Sequence, residues 1–229
     1  LLRSAPDLQV VLLDDGFQHR EIVPGLNVLL TQYNDLFTRD WLLPVGRLRE
    51  WRDAAVRADI IIITKCPSTI TAEERIALEQ EVRKERNQLV FFSRYIYGNP
   101  YRMYQSADRI VLNDQIDALL VVAIAGTEYL MEYVESKVAR VQLLEYNDHH
   151  PFSNFDIGDI ERYYKNMQEV HQKIILTTEK DAMRLDSHRE LLRQLNLPIY
   201  ILPTAVQFLG DDSVAFDNTV RDWLLNFKR

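Results

Sequence analysis

Apolar residues along this chain gather into short, nearly continuous runs rich in Val, Ile and Leu, separated by stretches patterned like helices. The runs Gln9–Leu13, Asn27–Thr31, Asp59–Thr64, Leu89–Ser93, Leu119–Ile124, Arg140–Leu144, Lys173–Thr177 and Ile199–Leu202 each read as a strand. Unbroken apolar character, rather than alternation, predicts strands covered on both faces. Between them, Thr71-Ala72-Glu73-Glu74 has the spacing of a capping box that opens a helix to about Arg86. Asp156–His171, Ser187–Leu195 and Val214–Phe227 carry further helical patterns. This alternation of strand and helix predicts an α/β protein with mainly parallel sheets. The Tyr-rich segment Tyr95–Tyr104, with its Gly98-Asn99-Pro100 turn, breaks the rhythm and leads into an extended pair around Arg109–Leu112. A domain boundary is therefore expected near residues 94–118, dividing the chain into 1–105 and 106–229. The last helix is free to pack back on the first part.

Composition narrows the class. The 229 residues are 47% hydrophobic, ample for a sizeable core. No apolar run approaches the roughly 20 residues of a membrane span, and the start Leu1-Leu2-Arg3-Ser4 lacks the layout of a signal peptide. The single cysteine, Cys66, excludes an internal disulfide framework and a cysteine-built zinc site, so a reducing cytoplasm is the default. A net charge of −7 gives no support to non-specific nucleic-acid binding, although a local basic patch is present. The absent initiator Met and the very early first strand lead to the expectation that the chain is a fragment.

Candidate chemistry lies where strands end, the place at which parallel α/β sheets bind ligands. The run after Leu13 is Asp14-Asp15-Gly16-Phe17-Gln18-His19-Arg20. Paired carboxylates suit Mg²⁺, and a strand closing on acid residues is the second half of a P-loop nucleotide site. The same residues equally make a plain turn. Leu43-Pro44-Val45-Gly46-Arg47-Leu48-Arg49-Glu50-Trp51-Arg52 sets three arginines around Glu50 and reads either as a phosphate-binding loop or as a solvated charged one. Lys65, at the end of the Asp59–Thr64 run, faces a ligand or snorkels, and Cys66 reads as a small buried side chain. Asp148-His149-His150 offers an oriented imidazole, with helix capping as the competing use. Thr178, Lys180 and Asp181 either bind a ligand or begin a helix, with Thr178 and Asp181 at capping spacing.

In order, Asp-Asp-Gly-Phe-Gln-His-Arg, Leu-Leu-Pro-x-Gly-x-Leu-Arg-Glu, Ala-Asp-Ile-Ile-Ile-x-Thr-Lys-Cys-Pro, Asp-His-His-x-Phe and Thr-Glu-Lys-Asp-Ala resemble the tetraacyldisaccharide 4'-kinase family, the lipid A 4'-kinases of Gram-negative bacteria. The resemblance runs from about Leu8 to about Leu202. It implies a P-loop-type core domain, incomplete here, joined by a β-ribbon hinge to a smaller α/β lid domain. It implies transfer of the γ-phosphate of ATP to the 4'-hydroxyl of a tetraacyldisaccharide 1-phosphate, giving lipid IVA. The place of work implied is the cytoplasmic face of the inner membrane, held peripherally or by a helix outside this chain, with no nucleic-acid partner.

Carried over residue by residue, Asp14, Asp15, His19, Glu50 and His149 are the expected catalytic positions. Asp14 and Asp15 are the Mg²⁺ ligands, with Glu50 a possible third. Asp15, Arg47, Arg49, Lys65, Thr178 and Lys180 are the expected ATP contacts. His150 is the less certain neighbour, and Trp41 and Trp51 are candidates for membrane contact against an ordinary core role. The family's Gly-rich loop and its general-base Asp have no counterpart in the chain, which is expected to be inactive alone. Val122–Glu128 matches the family's Gly-Ile-Ala-Asn-Pro turn only in part. Two other readings stay open on the residues: a metal-dependent phosphohydrolase using Asp14, Asp15 and His149 or His150, and a nucleotide-binding module without catalysis.

Overall fold

The computed structural model describes residues 8–227. The chain forms two compact units, one reaching to Tyr95 and resuming at Val206, the other spanning Ile96–Ala205. The division thus falls about ten residues before the expected 105/106 boundary, and the first unit also takes the C-terminal helix.

The first unit is built on a sheet ordered β1 (Val28–Gln32), β2 (Ile60–Thr64), β3 (Leu89–Tyr97) and β10 (Thr204–Phe208). β1 and β2 are parallel with Val28 opposite Ile60, and β2 and β3 are parallel with Ile60 opposite Leu89. Strand pleating splits the apolar run of β2 between two cores. Ile61 and Ile63 pack with Phe92, Leu36, Leu78 and Val82, and the last two belong to α1 (Ala72–Val82). Ile60 and Ile62 pack with Phe91 against Phe216 and Val220 of α6 (Asp212–Asn226). All four isoleucines are buried, as a strand covered on both faces requires. Thr71 caps α1 by accepting from the Glu74 N–H at 3.2 Å, while the Glu74 carboxylate accepts from the Tyr33 hydroxyl. Asp212, in the first turn of α6, accepts from Phe92 N–H and from Arg75, both at 2.8 Å. That fastens the helix to β3.

The second unit has a sheet ordered β5 (Gln105–Arg109), β4 (Tyr101–Arg102), β9 (Ile199–Leu202), β8 (Gln172–Thr178), β6 (Ile116–Val122) and β7 (Arg140–Glu145). The pairs β6–β7, β6–β8 and β8–β9 are parallel, and β4 is antiparallel to both its neighbours. Every residue of the central β6 is buried. Leu120 and Val122 face Leu130 and Val134 of α2 (Glu128–Glu135). Leu119 and Val121 face Ile157 and Ile160 of α3 (Asn154–Asn166), with Leu185 of α4 (Glu179–Leu185) and Leu192 of α5 (Arg189–Leu195). Ser153 caps α3 in a reciprocal capping box with Asp156. The architecture is mixed α/β with parallel sheets.

Four sequence expectations change. Gln9–Leu13 is not a strand, and Leu12 is 91% exposed. A strand exists only through its partners, and among the described residues none pairs with this stretch. The short helices α2 and α4 go beyond the expected set. The Ser187–Leu195 pattern divides into a 3-10 turn (Asp186–His188) and α5. β3 runs on to Tyr97, so the Tyr-rich segment begins as strand.

Candidate functional site

The chemistry-bearing residues fall into one cluster in each unit. In the first unit the carboxyl ends of β1, β2 and β3 open on a cavity of about 540 Å³. Thr31, Thr64 and Ser93 line its floor, and Arg47, Lys65 and Arg94 bring cations to it. Lys65 stands just past β2 with a left-handed φ of 57° and lies 6.0 Å from the centre of the Tyr95 ring. Arg94 donates to the Gln207 side chain at 2.7 and 3.0 Å. Arg47 arrives on a tight loop in which Leu48 N–H donates to Trp41 O at 2.9 Å and Trp41 N–H donates to the Asp40 carboxylate at 2.7 Å. A side chain at Gly46 would strike Trp41 O and that carboxylate, so the loop requires glycine there. Asp35 forms an ion pair with Arg47, and Asp40 lies 3.6 Å from its Nε. The Trp41 N–H holds the Asp40 carboxyl below its ordinary range. Cys66 is buried beneath the floor, and burial pushes its thiol up to about 11, which fits the packing role expected of it.

Earlier in the chain, Asp14 and Asp15 stand together in an exposed turn. Asp15 has a left-handed φ of 49°, and its carboxylate is 3.7 Å from Arg49. His19 is exposed, its N–H donating to Gly16 O at 3.0 Å. Glu50 is engaged elsewhere. Arg57 donates to it at 2.9 Å and Arg20 at 2.8 Å, and these guanidinia, Arg57 first, hold its carboxyl down at about 2. Arg57 also donates to Phe17 O at 2.9 Å and stacks over the Phe17 ring at 4.7 Å. Glu50 therefore clamps the Asp14–Arg20 turn to the 3-10 helix Arg52–Arg57. Both cations sit on Oε2 of Glu50.

Among the described residues, no group of three or more His, Cys, Asp or Glu side chains is placed to hold a metal. Asp14 and Asp15 alone still suit Mg²⁺, which takes oxygen ligands and commonly one or two carboxylates beside phosphate and water.

The second cluster surrounds Ala123, the residue after β6 in the second unit. Its N–H donates to Asp181 Oδ2 at 3.1 Å, and its carbonyl accepts from Arg184 at 2.9 Å and from the His149 N–H at 3.2 Å. Asp181 is fully buried and also accepts from the Thr178 hydroxyl at 2.8 Å and from Arg184 at 2.8 Å. Thr178 in turn accepts from the Asp181 N–H at 3.1 Å, so its hydroxyl serves the cap of α4 on both sides. Arg184 Nη2 reaches His149 Nδ1 at 2.9 Å. His149 has a left-handed φ of 62°, a side chain 70% exposed, and Nε2 3.6 Å from Asp148. Lys180 is half-exposed, its Nζ 3.7 Å from Asp148. His150 turns the other way, stacked on Tyr146 at 4.9 Å with Nε2 3.0 Å from Asp156.

Thus Arg47 and Lys65 share the cavity, Asp14, Asp15, His19, Arg49 and Glu50 gather around the exposed turn, and His149, Thr178 and Lys180 belong to the other unit. Sequence reasoning missed Asp35, Asp40, Arg94 and Arg184. Only Arg184 had a local signal, its (i, i+3) spacing from Asp181.

Comparison with known proteins adds three findings. A family model described as Tetraacyldisaccharide-1-P 4'-kinase matches residues 1–224. The Tetraacyldisaccharide 4'-kinase of Bacteroides thetaiotaomicron is 37% identical over 225 residues, covering 94% of this chain and 59% of that protein. That of Flavobacterium psychrophilum is 36% identical over 220 residues, covering 94% of this chain and 60% of its own length. A crystal structure of an "apo" form of LpxK from Aquifex aeolicus in complex with ATP has the same fold, with a TM-score of 0.59 at 20% identity, covering 97% of this chain and 61% of that one. The chain spans about three fifths of the length of the curated relatives it matches.

Proposed function

The chain belongs to the tetraacyldisaccharide-1-P 4'-kinase family, and from that premise we propose that it forms part of an enzyme that moves the γ-phosphate of ATP to the 4'-hydroxyl of a tetraacyldisaccharide 1-phosphate. The product would be lipid IVA, an intermediate of lipid A. The observation that carries this reading is the cavity at the carboxyl ends of β1, β2 and β3, lined by Arg47, Lys65 and Arg94. Strand ends of parallel sheets are where nucleotides bind, and clustered cations are what a polyphosphate needs.

Phosphoryl transfer demands positioning and charge neutralisation more than covalent chemistry from the protein. In this reading Lys65 and Arg47 take phosphate oxygens, and Arg94 adds a third cation. Asp14 and Asp15 would hold Mg²⁺, which when bound neutralises charge on the phosphates. Arg49, 3.7 Å from Asp15, keeps that pair next to a cation before the ion arrives. Glu50 acts through Arg57 and Arg20, fixing the turn that carries the carboxylates, and His19 lies on that same turn. The second unit is the lid domain in this account, and β3 and β10, along which the chain leaves and re-enters the first unit, are its hinge. His149 serves the transfer from the lid, with Lys180 beside Asp148. The acceptor's acyl chains require a membrane surface, so work at the inner-membrane face belongs to the same proposal. Among the described residues no helix is long and apolar enough to cross a membrane.

The test uses the protein expressed from its native gene. Lys65→Met and Arg94→Met should each raise KM for ATP about tenfold or more, the scale of a lost charged hydrogen bond. Unchanged KM for ATP and for the lipid in both variants would overturn the assignment of this cavity.

A further inference from the structure

His149 is held more firmly than an exposed loop histidine needs. Its N–H donates to Ala123 O at 3.2 Å, and its Nδ1 lies 2.9 Å from Arg184 Nη2. A guanidinium has donors and no acceptor, so Nδ1 must be the accepting nitrogen. In the neutral ring the proton then sits on Nε2, which is beyond hydrogen-bond distance of its neighbour, the Asp148 carboxylate at 3.6 Å. Arg184 is itself fixed. Its Nη1 donates to Asp181 Oδ1 at 2.8 Å and to Ala123 O at 2.9 Å. Asp181 is fully buried and anchored by Ala123 N–H and by the Thr178 hydroxyl. A buried carboxylate needs such a partner, and breaking one of these pairs leaves a costly orphan charge. Three residues, His149, Asp181 and Arg184, thus converge on the backbone N–H and C=O of Ala123 at the end of β6, and the guanidinium is the sole link from that buried anchor to the imidazole among the contacts described.

We infer that Arg184, locked by Asp181, is a positioning residue that fixes the tautomer and direction of His149, so that its Nε2–H donates a hydrogen bond to an oxygen anion at the transfer site. The inference rests on the reading of His149 as a functional residue of the kinase and deepens it: the histidine works as a donor, and the Thr-Glu-Lys-Asp-Ala-Met-Arg segment exists to aim it. Thr178 then belongs to the site indirectly, as the residue that holds Asp181.

The test has a structural arm and a kinetic arm. In the protein expressed from its native gene, isotope-edited NMR should detect a coupling through the hydrogen bond between Arg184 Nη2 and His149 Nδ1, with the ring proton on Nε2. Absence of that coupling, or a proton on Nδ1, overturns the inference whatever the activity. The kinetic arm uses the protein expressed from its native gene. Arg184→Lys keeps a cation against Asp181 but loses the forked donor, so the fold keeps its buried ion pair. It should lower kcat about tenfold, at the low end for a residue that orients a functional histidine, with KM for ATP unchanged. In a His149→Ala background the same substitution should cost nothing further, because its effect passes through the imidazole. An equal loss in both backgrounds, or no loss while His149→Ala is impaired, overturns the positioning role and leaves the function of His149 standing. Full activity in His149→Ala instead removes the underlying reading, and this inference with it.

Discussion

Replacing Glu50 with glutamine removes the charge that Arg57 and Arg20 share. The contacts are 2.9 and 2.8 Å, and the Glu50 side chain is only 13% exposed. The two guanidinia bring its carboxyl from an ordinary 4.5 to about 2. At about 1.4 kcal/mol per pH unit, that displacement corresponds to ~3 kcal/mol. Arg20 is 71% exposed and Arg57 35%, so solvent screens the pair, and about 1–2 kcal/mol is the realistic share. The folded-state value lies below the unfolded one. The stabilisation is therefore complete above 4.5 and is lost as the pH falls toward about 2. Denaturant unfolding of the wild type and of Glu50→Gln, repeated from neutral pH down through this window, reads the difference. The variant should be less stable by about 1–2 kcal/mol at neutral pH, and the gap should close in acid. A gap that does not change with pH would refute the ionic clamp. Equal stability at neutral pH, together with lost Mg²⁺ binding, would return Glu50 to the metal.

Further outcomes follow from packing and backbone geometry. Leu120→Ala, fully buried in β6 against α2, should cost about 2–5 kcal/mol in denaturant unfolding. Asn196 ends α5 with a left-handed φ of 47°, so Asn196→Val should lower stability by about 1–2 kcal/mol while Asn196→Gly does not. Cys66, buried with its thiol raised to about 11, should resist alkylation in the native protein and react readily once the chain is unfolded.

The strands of both cores were legible because burial on two faces leaves an unbroken apolar run, as in Ile60–Ile63 and Leu119–Val122. The same rule misled at Val10–Leu13, since composition reports a wish for burial and not the presence of a neighbour to provide it. α2 was illegible because its buried residues, Leu130 and Val134, are too few to set a helical period in the sequence. At the site, Asp14, Asp15, Arg47 and Lys65 could be picked out because each stands at or near a strand-like run. Arg94 could not, because its relevance depends on β3 lying beside β2. Thr178 shows the opposite failure. Its motif was visible, but the hydroxyl is consumed by Asp181, and only the three-dimensional network shows the contacts that run from Asp181 through Arg184 to His149.

The central claim is that this chain serves phosphoryl transfer from ATP to a lipid hydroxyl. The most direct measurement follows the label from γ-labelled ATP, using the protein expressed from its native gene with and without tetraacyldisaccharide 1-phosphate. The account predicts label in the lipid, on the 4' oxygen, with ADP formed in equal amount and only in the presence of the lipid. Label appearing solely as inorganic phosphate, with no phosphorylated lipid, would contradict it and make the protein a phosphohydrolase.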